Sequence, residues 1–86
     1  MQGPQMSERD CYEMMLHYDG PRMPALIQVF KLTLVDIHRL LKLQRDAVEL
    51  AFEGEIDDGP ALEYEAQIQA RWAQCRIDMK SIVSAD

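Results

Sequence analysis

Basic residues are scarce in this 86-residue chain: nine Lys and Arg stand against fifteen Asp and Glu, a net charge of −6. A nucleic-acid backbone is held by clustered cations that neutralise phosphates, so this balance argues against nucleic acid as a partner. Long apolar runs are also lacking. Lys31, Asp36, His38 and Arg39 interrupt the richest region, and a membrane span needs roughly 18 or more apolar residues without such breaks. No membrane partner is expected. The opening MQGPQMSERD has neither a basic n-region nor an apolar h-region, so no secretory signal is read there and a cytoplasmic location is expected. Only two cysteines occur, Cys11 and Cys75, far apart and without C-x-x-C spacing. They read as reduced, partly buried thiols in preference to a disulfide. No sustained apolar–polar alternation or Asn-Gly turn between β-branched runs suggests a strand. Gly and Pro number four each and sit at the breaks between periodic segments.

What the chain does have is apolar periodicity at helical spacing. Hydrophobic residues make up 48% and charged residues 28%, a globular balance. A chain this short makes one domain and buries only about 60% of its unfolded surface. The reading is an all-α fold: an antiparallel hairpin of two long helices with a short N-terminal helix. Oligomerisation or a partner completes the bundle. Residues 1–6 read as a flexible leader and 7–86 as one helical domain, with helices at about 8–18, 24–53 and 60–84. Ser7 offers an N-cap for the first helix. Asp19-Gly20-Pro21 ends it, and Pro24 opens the second helix, where a missing N–H costs nothing. Gly54 stops that helix, and Pro60 opens the third.

Alternating steps of three and four place Ile27, Phe30, Leu34, Ile37, Leu41, Gln44, Val48 and Ala51 on one seam of the second helix. The same steps give Ala61, Glu65, Ile68, Trp72, Cys75, Met79 and Ile82 on the third. Folding back about the loop sets Leu41 near Trp72, Leu34 near Met79 and Gln44 near Gln69. Arg76 and Lys80 then flank Asp36. Val29, Leu32, Leu43 and Leu50 fall off this seam, and the first helix is too short to cover them. They are the candidate partner interface, to be covered by a copy of the chain or another protein. Eight of the fifteen acidic residues cluster at the hairpin tip. Glu55, Asp57 and Asp58 there are the candidate docking carboxylates, with solvated charge as the plainer interpretation.

Catalytic, cofactor and metal residues are not identified. Of Cys11, Glu13 and His17, the C-x5-H spacing does not set Cys11 and His17 on one helix face as i,i+4 would, and no second ligand pair exists. EIDDG lacks the calcium-loop spacing and its terminal Glu. No Ser or Cys has a base and an orienting acid at readable spacing. His38 reads as a partly exposed seam neighbour and Trp72 as a core anchor. The stretch DIHRLLKLQR, Asp36 to Arg45, resembles the long first helix of small three-helix chorismate mutases. That family's chemistry needs Arg and Lys converging on a dicarboxylate, whereas here the tip is acidic and the later Lys is missing. The function expected is therefore a non-enzymatic protein–protein interaction module: an adaptor, small subunit or chaperone-like protein. The alternative is a small acidic inhibitor or regulator that docks on a basic site, as a phage-encoded or anti-factor protein would.

Overall fold

The computed structural model describes residues 4–85, and side chains from Ser7 onward. Three helices follow in order: α1 Pro4–His17, α2 Met23–Phe52 and α3 Gly59–Ser84. No strand occurs among the described residues. Part of the expected leader is helical, because α1 begins at Pro4, where proline's fixed φ suits a first turn. Ser7 therefore lies inside α1 and not at its cap. The first three residues fall outside the described chain.

α2 and α3 form the antiparallel hairpin, α1 lies along α3, and α1 barely touches α2. The result is a flat body with extents of 51 × 27 × 16 Å. Its accessible surface is 6112 Å², against about 5200 Å² for a compact monomer of this mass. The core is one strip: Leu26, Phe30, Ile37 and Leu40 of α2 against Ile68, Trp72, Cys75 and Met79 of α3, closed by Cys11 of α1. Tyr12 sets its ring 5.2 Å from Phe30 and 5.9 Å from Trp72, which ties α1 to both long helices.

The hairpin turn has a clear local cause. Gly54 adopts φ +81°. In that left-handed conformation Gly54 N–H donates to the Ala51 carbonyl and Glu55 N–H to the Leu50 carbonyl, the paired bonds that satisfy a helix's last carbonyls. At the far side of the loop, Asp57 Oδ1 accepts from Gly59 N–H at 2.9 Å. α3 thus receives a side-chain cap from Asp57 and none from Asp58.

The expected seam holds on α3, but α2 is turned. Its buried residues are Leu26, Phe30, Thr33, Ile37, Leu40 and Ala47. Phe30 and Ile37 were assigned correctly. Ile27, Leu34, Leu41 and Val48 were not, because each is displaced by its N-terminal neighbour. The shift is half a residue step, about 50° of rotation. Two observations account for it. Thr33, the one polar residue among the buried positions of α2, satisfies its hydroxyl by donating to the Val29 carbonyl at 2.9 Å. The turn also brings Asp36 round to Arg71, with Nε 2.8 Å from Oδ2. The helix pairing slides by about one turn as well. Asp36 meets Arg71 in place of Arg76 or Lys80, and Gln44 donates to Glu65 at 3.2 Å and to the Ala61 carbonyl at 3.4 Å in place of Gln69. Arg76 instead reaches Asp10 on α1, 2.6 Å away.

Candidate functional site

Turning α2 redistributes its apolar surface. Along one flank run Ile27, Leu34, Leu41 and Val48, seven residues apart and all exposed. Seven residues make close to two turns, so such a row stays in line along a helix packed in a hairpin. The other flank carries Val29, Asp36, Leu43 and Leu50 at the same spacing. Val29 packs against the core, Leu43 and Leu50 are exposed, and Leu32 lies further out at 52% exposure. Of the four candidate interface residues, Leu32, Leu43 and Leu50 are thus exposed and Val29 is half-buried. Leu43 and Leu50 do share one side, but the Asp36–Arg71 pair interrupts their row.

The first flank was hidden from sequence reasoning by its own apolarity. Four aliphatics at heptad spacing look like a seam until a neighbouring row takes that place. In the structure the flank borders a groove between α2 and α3. A cleft of about 500 Å³ has Trp72 and Ile68 toward its floor, Leu34 and Leu41 on the α2 side, Glu65 and Gln69 on the α3 side, and Glu8 and Tyr12 from α1. His38 and Leu41 also line an adjoining hollow of about 510 Å³ with Lys42, Gln44, Arg45 and Val48. Val48 in turn borders a third, reaching Phe52 and Leu62 near the tip. Phe52 is 92% exposed. His38 is thus exposed on the groove edge. Trp72 is 4% exposed and serves the core while touching the groove from below.

The tip carboxylates Glu55, Asp57 and Asp58 are exposed, and among the described residues no cation pairs with them. Asp57 has the structural task noted above.

A fourth hollow, of about 490 Å³, lies between α1 and α3 and collects Asp10, Glu13, His17, Asp19 and Lys80 beside Met14, Tyr18 and Val83. It brings together charges of both signs with no cysteine or serine. Cys11 points into the core while Glu13 and His17 are exposed. Among the described residues no three His, Cys, Asp or Glu stand close enough to hold a metal ion.

Both thiols are free and fully buried. Cys11 Sγ lies 3.8 Å from the Trp72 carbonyl oxygen and Cys75 Sγ 3.4 Å from Met79 Sδ. The hydrogen bond from Cys11 to Cys75, and then burial, hold the Cys11 proton well above the usual thiol range. Such a thiol is inert as a nucleophile.

No family model, curated protein or solved structure matches the chain. Among the described residues no helix is long and apolar enough to cross a membrane.

Proposed function

We propose that the chain is a small non-enzymatic interaction module, an adaptor, small subunit or chaperone-like protein, that works through α2. One observation carries this: nine large hydrophobic residues of α2 remain exposed, on both sides of its buried seam. Single exposed apolar residues are ordinary, but contiguous rows of them mark interaction surfaces. Each Leu buried at an interface contributes about 1.5–3 kcal/mol, and several together offset the cost of pairing two chains. The one-layer shape supports the same reading, because a second layer has somewhere to sit. The partner is another protein, a second copy of the chain, or each in turn.

Sedimentation of wild type beside Leu43→Glu and Leu41→Glu tests this reading. A charge on an interface flank splits an assembly, or abolishes capture of a purified partner, while circular dichroism stays helical. If neither variant alters any association, the apolar rows are merely exposed and the reading fails.

A second reading rests on the tip, whose unpaired carboxylates suit a basic docking site on a larger protein. Exposed carboxylates of this kind set salt-dependent association rates more than stability. Partner binding that is indifferent to salt and to neutralising Glu55 and Asp58 excludes it.

A further inference from the structure

Resting on the interaction-module reading, we propose that the flank of Leu32, Leu43 and Leu50 is covered by a second copy of this chain, the two α2 helices packed antiparallel about a two-fold axis beside Leu43. A two-fold pairs each residue with a mate on the other copy, and that mate pairs back. A surface that accepts its own copy is therefore self-complementary about one point, with apolar set on apolar and cation on anion. α2 has this property. By the helical step of about 100° per residue, Leu32, Arg39, Leu43, Asp46 and Leu50 fall within about 60° of one another, with Val35, Glu53 and then Lys31 toward the outer edge. All of them are exposed. Arg39 precedes Leu43 by four residues and Asp46 follows it by three. Rotation about a point between Lys42 and Leu43 lays Arg39 on Asp46 of the second copy, and Asp46 on its Arg39. The same rotation lays Val35 on Leu50, sets the two Leu43 side by side, and brings Lys31 within one residue of Glu53.

Charge selects both the occupant and its direction. Among the described residues Lys31, Arg39, Asp46 and Glu53 enter no ion pair within the chain. From Lys31 to Arg45 the one acidic residue is Asp36, which Arg71 already holds. From Asp46 to Asp58 every charge is acidic. A second copy run antiparallel thus brings an acidic half to each cationic half, whereas a parallel copy sets Arg39 on Arg39 and Asp46 on Asp46, and like charges brought together oppose association. The remaining charges near the axis stand aside. Lys42 turns toward the opposite flank, where it lines the hollow with His38 and Arg45. Glu49, the mate of Asp36 by number, lies about 120° round the helix from Leu43. Size agrees as well. The chain exposes about 900 Å² more than a compact monomer of its mass, close to the roughly 800 Å² that each partner buries in a standard stable interface. Lys31 to Glu53 rises about 33 Å, so the paired length is most of α2.

Sedimentation of the intact chain and its charge-swapped variants tests this. Wild type is expected to be a dimer at micromolar concentration. Arg39→Asp sets carboxylate on carboxylate and Asp46→Arg sets cation on cation, so each alone should weaken self-association at least about tenfold. Mixed in equal amounts, the two variants should pair with each other, and the double variant should dimerise again. A loss of folding has no means of producing that rescue. Leu43→Glu should give a monomer that stays helical by circular dichroism. Where either charge variant misfolds, the reciprocal pair Lys31→Glu and Glu53→Lys serves in its place. A dimer that survives Arg39→Asp and Leu43→Glu overturns the proposal, as does the absence of pairing between the two mixed variants. A dimer split by Leu41→Glu alone also overturns it, and keeps the interaction module on the groove flank. A wild-type monomer overturns it and leaves the interaction module to a foreign partner.

Discussion

Thr33 is fully buried on α2, where a hydroxyl without a partner would cost roughly 1–3 kcal/mol. Its bond to the Val29 carbonyl removes that cost, so the row containing it can face α3. The neighbours Leu40 and Leu41 then have opposite fates, at 6% and 48% exposure. Leu40→Ala should lower stability by about 2–4 kcal/mol and shift Trp72 emission to the red, while Leu41→Ala should cost under about 1 kcal/mol. Thermal melts of both variants check this, and the reverse order would mean that α2 is turned the other way. The thiol core gives a pH prediction. In the unfolded chain Cys11 loses its proton near 9.0, whereas the folded chain keeps it. The unfolded state then binds fewer protons, so stability falls as pH rises above about 9. Cys75, hydrogen-bonded to Cys11, is lowered to about 7 and gives the opposite slope between about pH 7 and pH 9. Melting temperatures between about pH 9 and pH 11 should therefore show the fall, and Cys11→Ala should flatten it. A profile identical in both proteins would remove Cys11 as the cause.

At the scale of the element, the loop is the part most plainly written in the chain. Gly54 was legible as a helix stop because only glycine takes a positive φ without cost, and the structure has it at +81°. A Cβ there meets nothing within 4 Å, so Gly54→Ala tests backbone strain without a clash. It should destabilise by about 1–2 kcal/mol. Asp57→Ala should cost about 0.5–2 kcal/mol through loss of the α3 cap, while Asp58→Ala stays near neutral. Urea unfolding separates the two carboxylates. Equal effects would mean that Asp57 acts only as one more charge of the tip. Sequence could not tell the tip carboxylates apart in this respect: both Asp57 and Asp58 precede Pro60 at capping distance, and loop geometry selects Asp57.

For the molecule as a whole, one layer of three helices leaves a thin core and a large surface. The radius of gyration is 15.4 Å, against about 12 Å for a compact chain of this length. The chain alone should sit near the low end of domain stability, about 5 kcal/mol. Denaturant titration measures it. A lone chain well above about 10 kcal/mol would show that the layer needs no partner for its stability.

By itself the sequence determined the helices, their breaks, the hairpin and the buried row of α3. Each rests on local signals: Pro and Gly at the ends, and on α3 one apolar row with Glu65 as its only charged member. The rotation of α2 and the sliding of the hairpin were decided only by tertiary structure. α2 is apolar on two adjacent heptad rows, and periodicity cannot rank rows that are both greasy. The choice fell to polar groups finding partners: Thr33 the Val29 carbonyl within α2, and across the hairpin Asp36 finding Arg71 and Gln44 finding Glu65. Those same terms decided which leucines stayed outside. The groove flank of Ile27, Leu34, Leu41 and Val48 could be read as core from the chain and as surface only from the fold.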